Sequence, residues 1–153
     1  MVEPDCEFAL RWLLVRLGVS MVLDIRGMAP LLQVFDLPVS LAFYRDTLGF
    51  EVVQSTSDWA WLKRGDVELM LNTAYESDAR PPAPDPSRVA AHNDTALYFG
   101  CPDVDAAHAY LRGRGVATQE PRVAPYGMKQ LYLSDPDGYN VCFQGRADGV
   151  AAG

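Results

Sequence analysis

The fold of this chain is decided by the stretch Gln33-Val-Phe-Asp-Leu-Pro-Val-Ser-Leu-Ala-Phe-Tyr-Arg-Asp-Thr-Leu-Gly49. Its pattern returns about 67 residues later, within Phe99-Gly-Cys-Pro-Asp-Val-Asp-Ala-Ala-His-Ala-Tyr-Leu-Arg-Gly-Arg-Gly115. In each copy an apolar strand leads into a helix whose start is marked by Asp and Pro and whose end is marked by Gly. Three strand-like runs follow each helix. A unit of this size has too little core by itself, so the two units must pack together, and the cleft between them is the first place to look for a function.

The repeat predicts one domain over residues 28–145. The divisions are an N-terminal extension at 1–27 that we set aside from the fold, module one at 28–73, a linker at 74–93, module two at 94–145 and a tail at 146–153. Module one is expected to hold a strand at 30–36, a helix at 38–48 and strands at 50–55, 58–64 and 67–72. Module two is expected to hold a strand at 94–100, a helix at 103–113 and strands at 116–122, 128–134 and 139–144. Residues 73–93 are expected to be a loop, because Arg80-Pro-Pro-Ala-Pro-Asp-Pro86 supplies four prolines that cannot join a β-ladder.

The composition narrows the classes of function. A net charge of -7 argues against nucleic acid as a partner and would suit a cationic ligand. The cysteines at positions 6, 101 and 142 are odd in number and lack metal-ligand spacing, which favours a reducing, cytoplasmic location without disulfides. The apolar stretch 8–23 contains Arg11 and Arg16, so it fits neither a signal peptide nor a membrane span.

Two tight turns predict the strand registers. Gly65-Asp66 has the form of a two-residue hairpin turn, and Asp135-Pro136-Asp137-Gly138 that of a type I turn closed by a left-handed glycine. The predicted cross-strand pairs are Trp59 with Asn72, Trp61 with Met70, Lys63 with Glu68, Gln130 with Gln144 and Tyr132 with Cys142.

Alternation along the strands separates two faces of the sheets. One face is almost uniformly aliphatic or Phe and is expected to meet the helices. The opposite face, which we call the far face, mixes aromatic and polar side chains, as a ligand pocket does. From the far face and the loop beside it, the predicted ligand-binding residues are Gln33, Phe35, Trp59, Trp61, Glu68, Met70, Tyr98, Tyr126, Gln130, Tyr132 and Cys142. No catalytic residue is predicted.

Some of these residues have a second interpretation. Trp59 and Trp61 offer a stacking surface for a ligand, or they fill space between the modules or in a dimer interface. Glu68 either recognises a cation or forms a cross-strand pair with Lys63. Cys142 is expected to be an inert buried thiol, because no histidine can be placed beside it.

Four segments together resemble the vicinal oxygen chelate superfamily, which includes glyoxalase I, extradiol dioxygenases and bleomycin resistance proteins. They are Ala42-Phe-Tyr-Arg-Asp-Thr-Leu-Gly-Phe-Glu-Val52, Gly65-Asp-Val-Glu-Leu-Met-Leu-Asn72, Asp103-Val-Asp-Ala-Ala107 and Asp135-Pro-Asp-Gly-Tyr139. The resemblance implies an α+β fold of two paired βαβββ modules, whose curled mixed sheets surround a cleft. It also implies a homodimer.

The resemblance further implies where a metal would sit in the enzymes of the superfamily. Their ligands lie on the first and last strands of each module, and those positions project here onto Ala29, Glu68, Ala96 and Cys142. Alanine cannot coordinate a metal, and one carboxylate with one thiol is too small a set for a divalent ion. We therefore expect neither a metal nor another cofactor.

These observations predict a protein that binds a small amphipathic or cationic molecule in an aromatic cleft. It would resemble bleomycin resistance proteins in strategy, with antibiotic resistance as the corresponding role, rather than act as an enzyme. The alternative is a lyase, isomerase or dioxygenase with an atypical metal set or with Glu68 as an acid–base group. A third possibility is a structural dimer whose aromatic face is wholly interface. Neither nucleic acid nor a membrane is expected as a partner.

Overall fold

The computed structural model describes residue 23 and residues 25–75 and 78–148. The predicted extension at 1–27, most of the tail and Cys6 fall largely or wholly outside this part of the chain. No helix within the described part is both long enough and apolar enough to cross a membrane.

Module one consists of a mixed four-stranded sheet and one helix. Its elements are β1 (Leu31–Val34), α1 (Leu37–Leu41, continued by a π-helical segment at Ala42–Thr47), β2 (Glu51–Ser55), β3 (Trp59–Arg64) and β4 (Val67–Thr73). The strand order is β1-β4-β3-β2, with β1 parallel to β4 and the other pairs antiparallel. Asp36 caps the N-terminus of α1 by accepting a hydrogen bond from the Val39 N–H at 3.2 Å.

The linker contains a helix that the sequence analysis did not predict. Helix α2 (Pro86–His92) begins after Asp85, whose carboxylate accepts a hydrogen bond from the Ser87 N–H at 2.9 Å. The prediction of an unbroken loop at 73–93 was therefore wrong. Proline disfavours a strand, but at the first position of a helix it costs no hydrogen bond, and Pro86 occupies that position in α2.

Module two repeats the arrangement of module one. Its elements are β5 (Ala96–Gly100), α3 (Val104–Gly113), β6 (Arg122–Val123), β7 (Met128–Ser134) and β8 (Asn140–Arg146), and the strand order is β5-β8-β7-β6. The strand predicted at 116–122 is wrong for most of its length, because β6 holds only Arg122 and Val123. Pro121 precedes β6 and has no N–H to donate to a ladder, which limits the strand to its far end.

Both predicted hairpin registers are confirmed. Gly65 and Gly138 have positive φ angles of 57° and 88°, as the turns require. All five predicted cross-strand pairs occur, so the far faces of β3, β4, β7 and β8 hold the predicted side chains. The expected α+β fold of two repeated modules is confirmed, with two separate sheets that do not close into one.

The modules are joined on the helix side of the sheets. The core of module one includes Tyr139 from module two, and Phe99 of β5 packs against it. Phe43 and Leu48 from the α1 segment pack in turn against the core of module two. The two units thus share apolar surface, as their small individual size requires.

Buried carboxylates of the β7–β8 turn also join the modules. Asp135 accepts a hydrogen bond from the Tyr44 hydroxyl at 2.8 Å, and Asp137 accepts one from the Ser40 hydroxyl at 2.8 Å. Asp137 also accepts the Phe35 N–H at 2.6 Å. The turn motif accounts for the presence of both aspartates but does not predict these contacts between the modules. Burial raises the pKa of Asp135, although its hydrogen bonds oppose that shift.

Candidate functional site

The far face of module one combines an aromatic surface with an amide pair. Trp59 and Trp61 lie on β3 opposite Asn72 and Met70 of β4, and both indoles are half-buried. On β1, Gln33 pairs with Asn72, whose side-chain amide donates a hydrogen bond to the Gln33 Oε1 at 3.3 Å. Two indoles beside a thioether and two amides give a surface that takes an apolar ring and also recognises polar groups.

Glu68 forms the predicted pair with Lys63. The Lys63 Nζ lies 3.3 Å from the Glu68 Oε1, and both side chains remain partly exposed. A pair in such surroundings contributes at most about 1 kcal/mol. The pair therefore does not prevent the carboxylate from turning to a bound cation.

The far face of module two carries a chain of hydrogen bonds. The hydroxyls of Tyr98 and Tyr132 lie 2.8 Å apart, and the Tyr132 hydroxyl donates to the Gln130 Oε1 at 3.2 Å. The Gln130 Nε2 donates to the Tyr126 hydroxyl at 2.8 Å and to the Gln144 Oε1 at 3.1 Å. Tyr126 and Tyr98 are 68 % and 49 % exposed, so both ends of the network are open to a ligand.

Cys142 lies beneath this network and is fully buried. Burial raises the pKa of its thiol, so the thiolate is disfavoured at neutral pH. The hydrogen bond with Tyr98 raises the pKa of Tyr132, which is likewise not a base at neutral pH. This arrangement offers hydrogen-bonding groups, and neither Cys142 nor Tyr132 is an activated nucleophile.

A cavity of about 240 Å³ brings together two predicted residues from different modules. It lies between the segment before β1, the first half of β4 and strand β5, and Glu68 and Tyr98 both line it. Asp66 adds a second carboxylate, while no lysine or arginine occurs among the described residues that line the cavity. Its polar groups therefore favour a positively charged or hydrogen-bond-donating guest.

Phe35 lies beyond the end of β1 and packs against the linker. The ring centroids of Phe35 and Tyr75 are 6.2 Å apart, and the Arg80 guanidinium lies 4.5 Å from the centroid of the Phe35 ring. Arg80 also bonds to Asp36 at 2.6 Å, which lowers the pKa of that carboxyl group. Because β1 ends at Val34, Phe35 is not part of the sheet, and its ring contacts the linker instead.

The projected metal positions do not fit a divalent ion. In module two, Ala96 pairs with Asn140, and Cys142 pairs with Tyr98. These positions present methyl, amide, thiol and phenol groups, without the imidazoles and carboxylates that a divalent ion needs. Across residues 25–75 and 78–148, no three His, Cys, Asp or Glu side chains cluster as a metal site would require.

His92 has a structural position that sequence reasoning missed. Its ring stacks on Tyr139 with centroids 4.1 Å apart, and its Nδ1 lies 2.7 Å from the Asp137 carbonyl oxygen. The loop predicted at 73–93 includes His92 and gives it no contact with the modules. The signal that could have found it is the Asp85-Pro86 helix start, since it places His92 at the end of α2.

A model described as the Glyoxalase/Bleomycin resistance protein/Dioxygenase superfamily matches residues 25–143. No curated protein matches the chain at a significant level.

Several solved structures are similar to the chain. A bleomycin-binding protein from Streptomyces verticillus, complexed with copper(II)-bleomycin, is 25% identical with a TM-score of 0.61, over 80% of this chain and 97% of that one. A lactoylglutathione lyase from Agrobacterium tumefaciens is 21% identical with a TM-score of 0.61, over 80% and 94%. A glyoxalase/bleomycin resistance protein/dioxygenase from Nocardioides is 21% identical with a TM-score of 0.69, over 94% and 97%.

Proposed function

We propose that this chain, which belongs to the glyoxalase/bleomycin resistance protein/dioxygenase superfamily, binds a small amphipathic molecule on its far face without a metal. A cationic molecule is preferred. The binding holds the molecule without changing it chemically. The observation that carries the proposal is the mixture of open aromatic rings and satisfied polar groups on both sheets, in place of the donor set that a metal requires.

The aromatic residues supply the affinity for the apolar part of the ligand. Trp59 and Trp61 lie on one face of one strand, and each presents a half-buried indole. Indole faces bind both apolar rings and cations. The hydrogen-bonded networks that contain the Gln33 and Gln130 amides, one on each sheet, supply orientation.

The charges supply the preference for a cation. Glu68 and Asp66 line the cavity between the modules, and the chain carries a net charge of -7. The similar bleomycin-binding protein, which is complexed with copper(II)-bleomycin, supports binding as a mode of action for this fold. A cytoplasmic homodimer that confers antibiotic resistance by sequestration is the setting we propose.

Tryptophan fluorescence tests the proposal with a matched pair of probes. Benzyltrimethylammonium and benzyl alcohol share a ring and differ in charge, and the ammonium compound is expected to quench more strongly at equal concentration. Trp59→Ala and Trp61→Ala should each weaken this response while the melting temperature stays nearly unchanged. A loss of stability of roughly 3–5 kcal/mol in either variant would instead identify that indole as core filling.

Two variants separate the ion pair from ligand recognition. Lys63→Ala frees the Glu68 carboxylate and should strengthen binding of benzyltrimethylammonium, whereas Glu68→Gln should weaken it about tenfold or less. Equal binding of benzyltrimethylammonium by both variants would show that Glu68 does not contribute to recognition of the cation.

The alternative function is an enzyme in which Glu68 acts as an acid–base group or ligates an atypical metal. The observation that favours it is the position of this carboxylate on a cavity between the modules. It predicts a stoichiometric divalent metal in the purified protein, lost in Glu68→Gln, or turnover of a substrate that this variant abolishes. Either result would replace the binding proposal.

A further inference from the structure

The outer edge of β1 is closed by a phenol from module two. Residues 30 and 34 turn their carbonyl groups toward β4, since Pro30 and Val34 accept the Met70 and Ala74 N–H groups. The N–H and C=O groups of Gln33 therefore point away from β4. The Tyr139 hydroxyl binds both of them, accepting the N–H at 3.1 Å and donating to the carbonyl oxygen at 3.2 Å.

The ring of Tyr139 is enclosed as well as its hydroxyl. The residue is 6 % exposed, and its ring stacks on His92 with an interplanar angle of 7°. Module one therefore shows which chemical group fits this kind of strand edge, namely a planar ring whose hydroxyl reaches a backbone N–H and C=O together.

Module two has the same edge without the phenol. Gly100 lies 67 residues after Gln33 and pairs with Gln144, as Gln33 pairs with Asn72. The Cys101 N–H donates to the Gln144 carbonyl oxygen, and the Asn140 N–H donates to the Thr95 carbonyl oxygen. The backbone N–H and C=O groups of the odd-numbered residues of β5 therefore point toward β8. The Gly100 N–H and C=O thus point away from β8, and no side chain of the described residues bonds to either group.

The residue in the place of Tyr139 is Val67. Tyr139 immediately follows the β7–β8 turn, and Val67 immediately follows the β3–β4 turn. Valine has no hydroxyl and is too short to fill the position of a tyrosine ring, and Val67 remains 40 % exposed. The cavity of about 240 Å³ occupies the space between Val67 and Gly100.

The size and lining of this cavity define its guest. Its volume lies below the usual range for drug-sized ligands, so it suits one substituted aromatic ring. Pro30, Leu97 and Phe99 contribute apolar walls. An unpaired backbone donor and acceptor side by side favour a hydroxyl, which can satisfy both at once.

We infer that the cavity beside Gly100 binds a small phenol, with the hydroxyl bridging the Gly100 N–H and C=O as Tyr139 bridges those of Gln33. This inference rests on the two strand edges and stands without the function proposed above, although Glu68 and Asp66 of that proposal line the same cavity. Trp59 and Trp61 are absent from the cavity lining, so the Gly100 amide reports on the phenol separately from the tryptophan fluorescence.

The experiment uses 4-methylphenol, which has the ring and hydroxyl of a tyrosine side chain, and toluene, which lacks the hydroxyl. Titration of ¹⁵N-labelled protein is followed through the amide resonances. The Gly100 amide should move strongly with 4-methylphenol, and toluene should bind about tenfold more weakly, the value of one net hydrogen bond. Equal binding of the two compounds, or an unmoved Gly100 resonance, would overturn the inference.

Variants of two positions make the test specific. A Cβ on Gly100 would meet open space, so Gly100→Leu should keep the melting temperature and weaken 4-methylphenol binding at least tenfold. Gly113→Leu is the matched control, because Gly113 also faces open space and lies outside the cavity. Val67→Tyr should supply the missing phenol, raise the melting temperature and block the probe. Unchanged 4-methylphenol binding in both Gly100→Leu and Val67→Tyr would contradict the inference.

A second copy of the chain is the competing occupant. Sedimentation measured with and without 4-methylphenol distinguishes it. Binding of the probe to every oligomeric form supports the phenol, whereas binding only after dissociation of a dimer shows that the partner fills the cavity, which overturns the inference.

Discussion

Asp135 illustrates how much a single buried carboxylate does in this protein. It is 5 % exposed and accepts hydrogen bonds from the Tyr44 hydroxyl and from two backbone N–H groups of its own turn. Its pKa is raised, mainly by burial. The stability linked to this titration is therefore fully present below the unfolded pKa near 3.8 and is lost as the pH rises through the raised folded value.

Substitution of Asp135 tests this account. Asp135→Asn keeps an acceptor for the turn and removes the charge, so its stability relative to the native protein should improve as the pH rises from about 4 to about 7. Asp135→Ala leaves the buried Tyr44 hydroxyl without its acceptor and should cost about 1–3 kcal/mol at every pH. Urea unfolding across this pH range measures both effects. A pH-independent difference for Asp135→Asn would contradict the raised pKa.

The two described cysteines should differ in reactivity. Cys142 is fully buried, whereas Cys101 is partly exposed, and burial raises the pKa of both thiols. In a Cys6→Ser background at about pH 8, a disulfide-exchange reagent should modify Cys101 first and Cys142 only after unfolding. Absorbance of the released thiolate follows the reaction. Fast modification of Cys142 in Cys101→Ser would mean that the hydrogen-bond network above Cys142 opens in the folded protein.

At the scale of elements, the β7–β8 turn is more tightly held than the β3–β4 turn. A Cβ on Gly138 would lie 2.5 Å from the Val89 carbonyl oxygen of α2, whereas one on Gly65 would meet nothing within 4 Å. Both glycines have a positive φ. The linker helix therefore depends on a glycine in module two.

Alanine at these two glycines separates backbone strain from contact. Gly65→Ala should cost only the strain of a positive φ, about 1–2 kcal/mol. Gly138→Ala has the same strain and in addition displaces α2, so it should cost clearly more and should loosen the His92–Tyr139 stack. Chemical unfolding and the ring resonances of His92 measure the two effects. Equal losses in the two variants would show that α2 does not press on the turn.

Sequence reasoning succeeded where the information is local. The hairpin registers and the two faces follow from turns of two and four residues, so Trp59, Trp61, Tyr132 and Cys142 lie on the predicted face. It missed α2 although the Asp85-Pro86 helix start is a local signal, because the four prolines were interpreted only as excluding a strand. It could not predict contacts that depend on distant packing, such as those of α2 with the β7–β8 turn and of Phe35 with the linker.

The cavity between the modules was beyond the sequence for the same reason. Glu68 and Tyr98 are 30 residues apart and on different sheets, and they meet only through the placement of β4 beside β5. The repeat predicted that a cleft lies between the units. It did not identify which residues of the two strands face each other across it.

At the scale of the whole molecule, the acidic charge should act on the binding of cations. With a net charge of -7 and two carboxylates on the cavity, affinity for benzyltrimethylammonium should fall as salt rises from about 0.05 to about 0.5 M. Affinity for benzyl alcohol should stay constant over this range. Fluorescence titration measures both affinities. An equal salt dependence for the two compounds would show that charge does not contribute to binding.

Binding without a metal is the central claim, and titration of chelator-treated protein tests it most directly. The native chain is dialysed against EDTA, shown by elemental analysis to hold no divalent metal, and titrated with benzyltrimethylammonium. The far face offers aromatic rings and amides, while the projected metal positions of module two carry Ala96 and Cys142. The account predicts one affinity before treatment, after treatment and after divalent metal is returned; binding that disappears with the metal and returns with it would contradict the account.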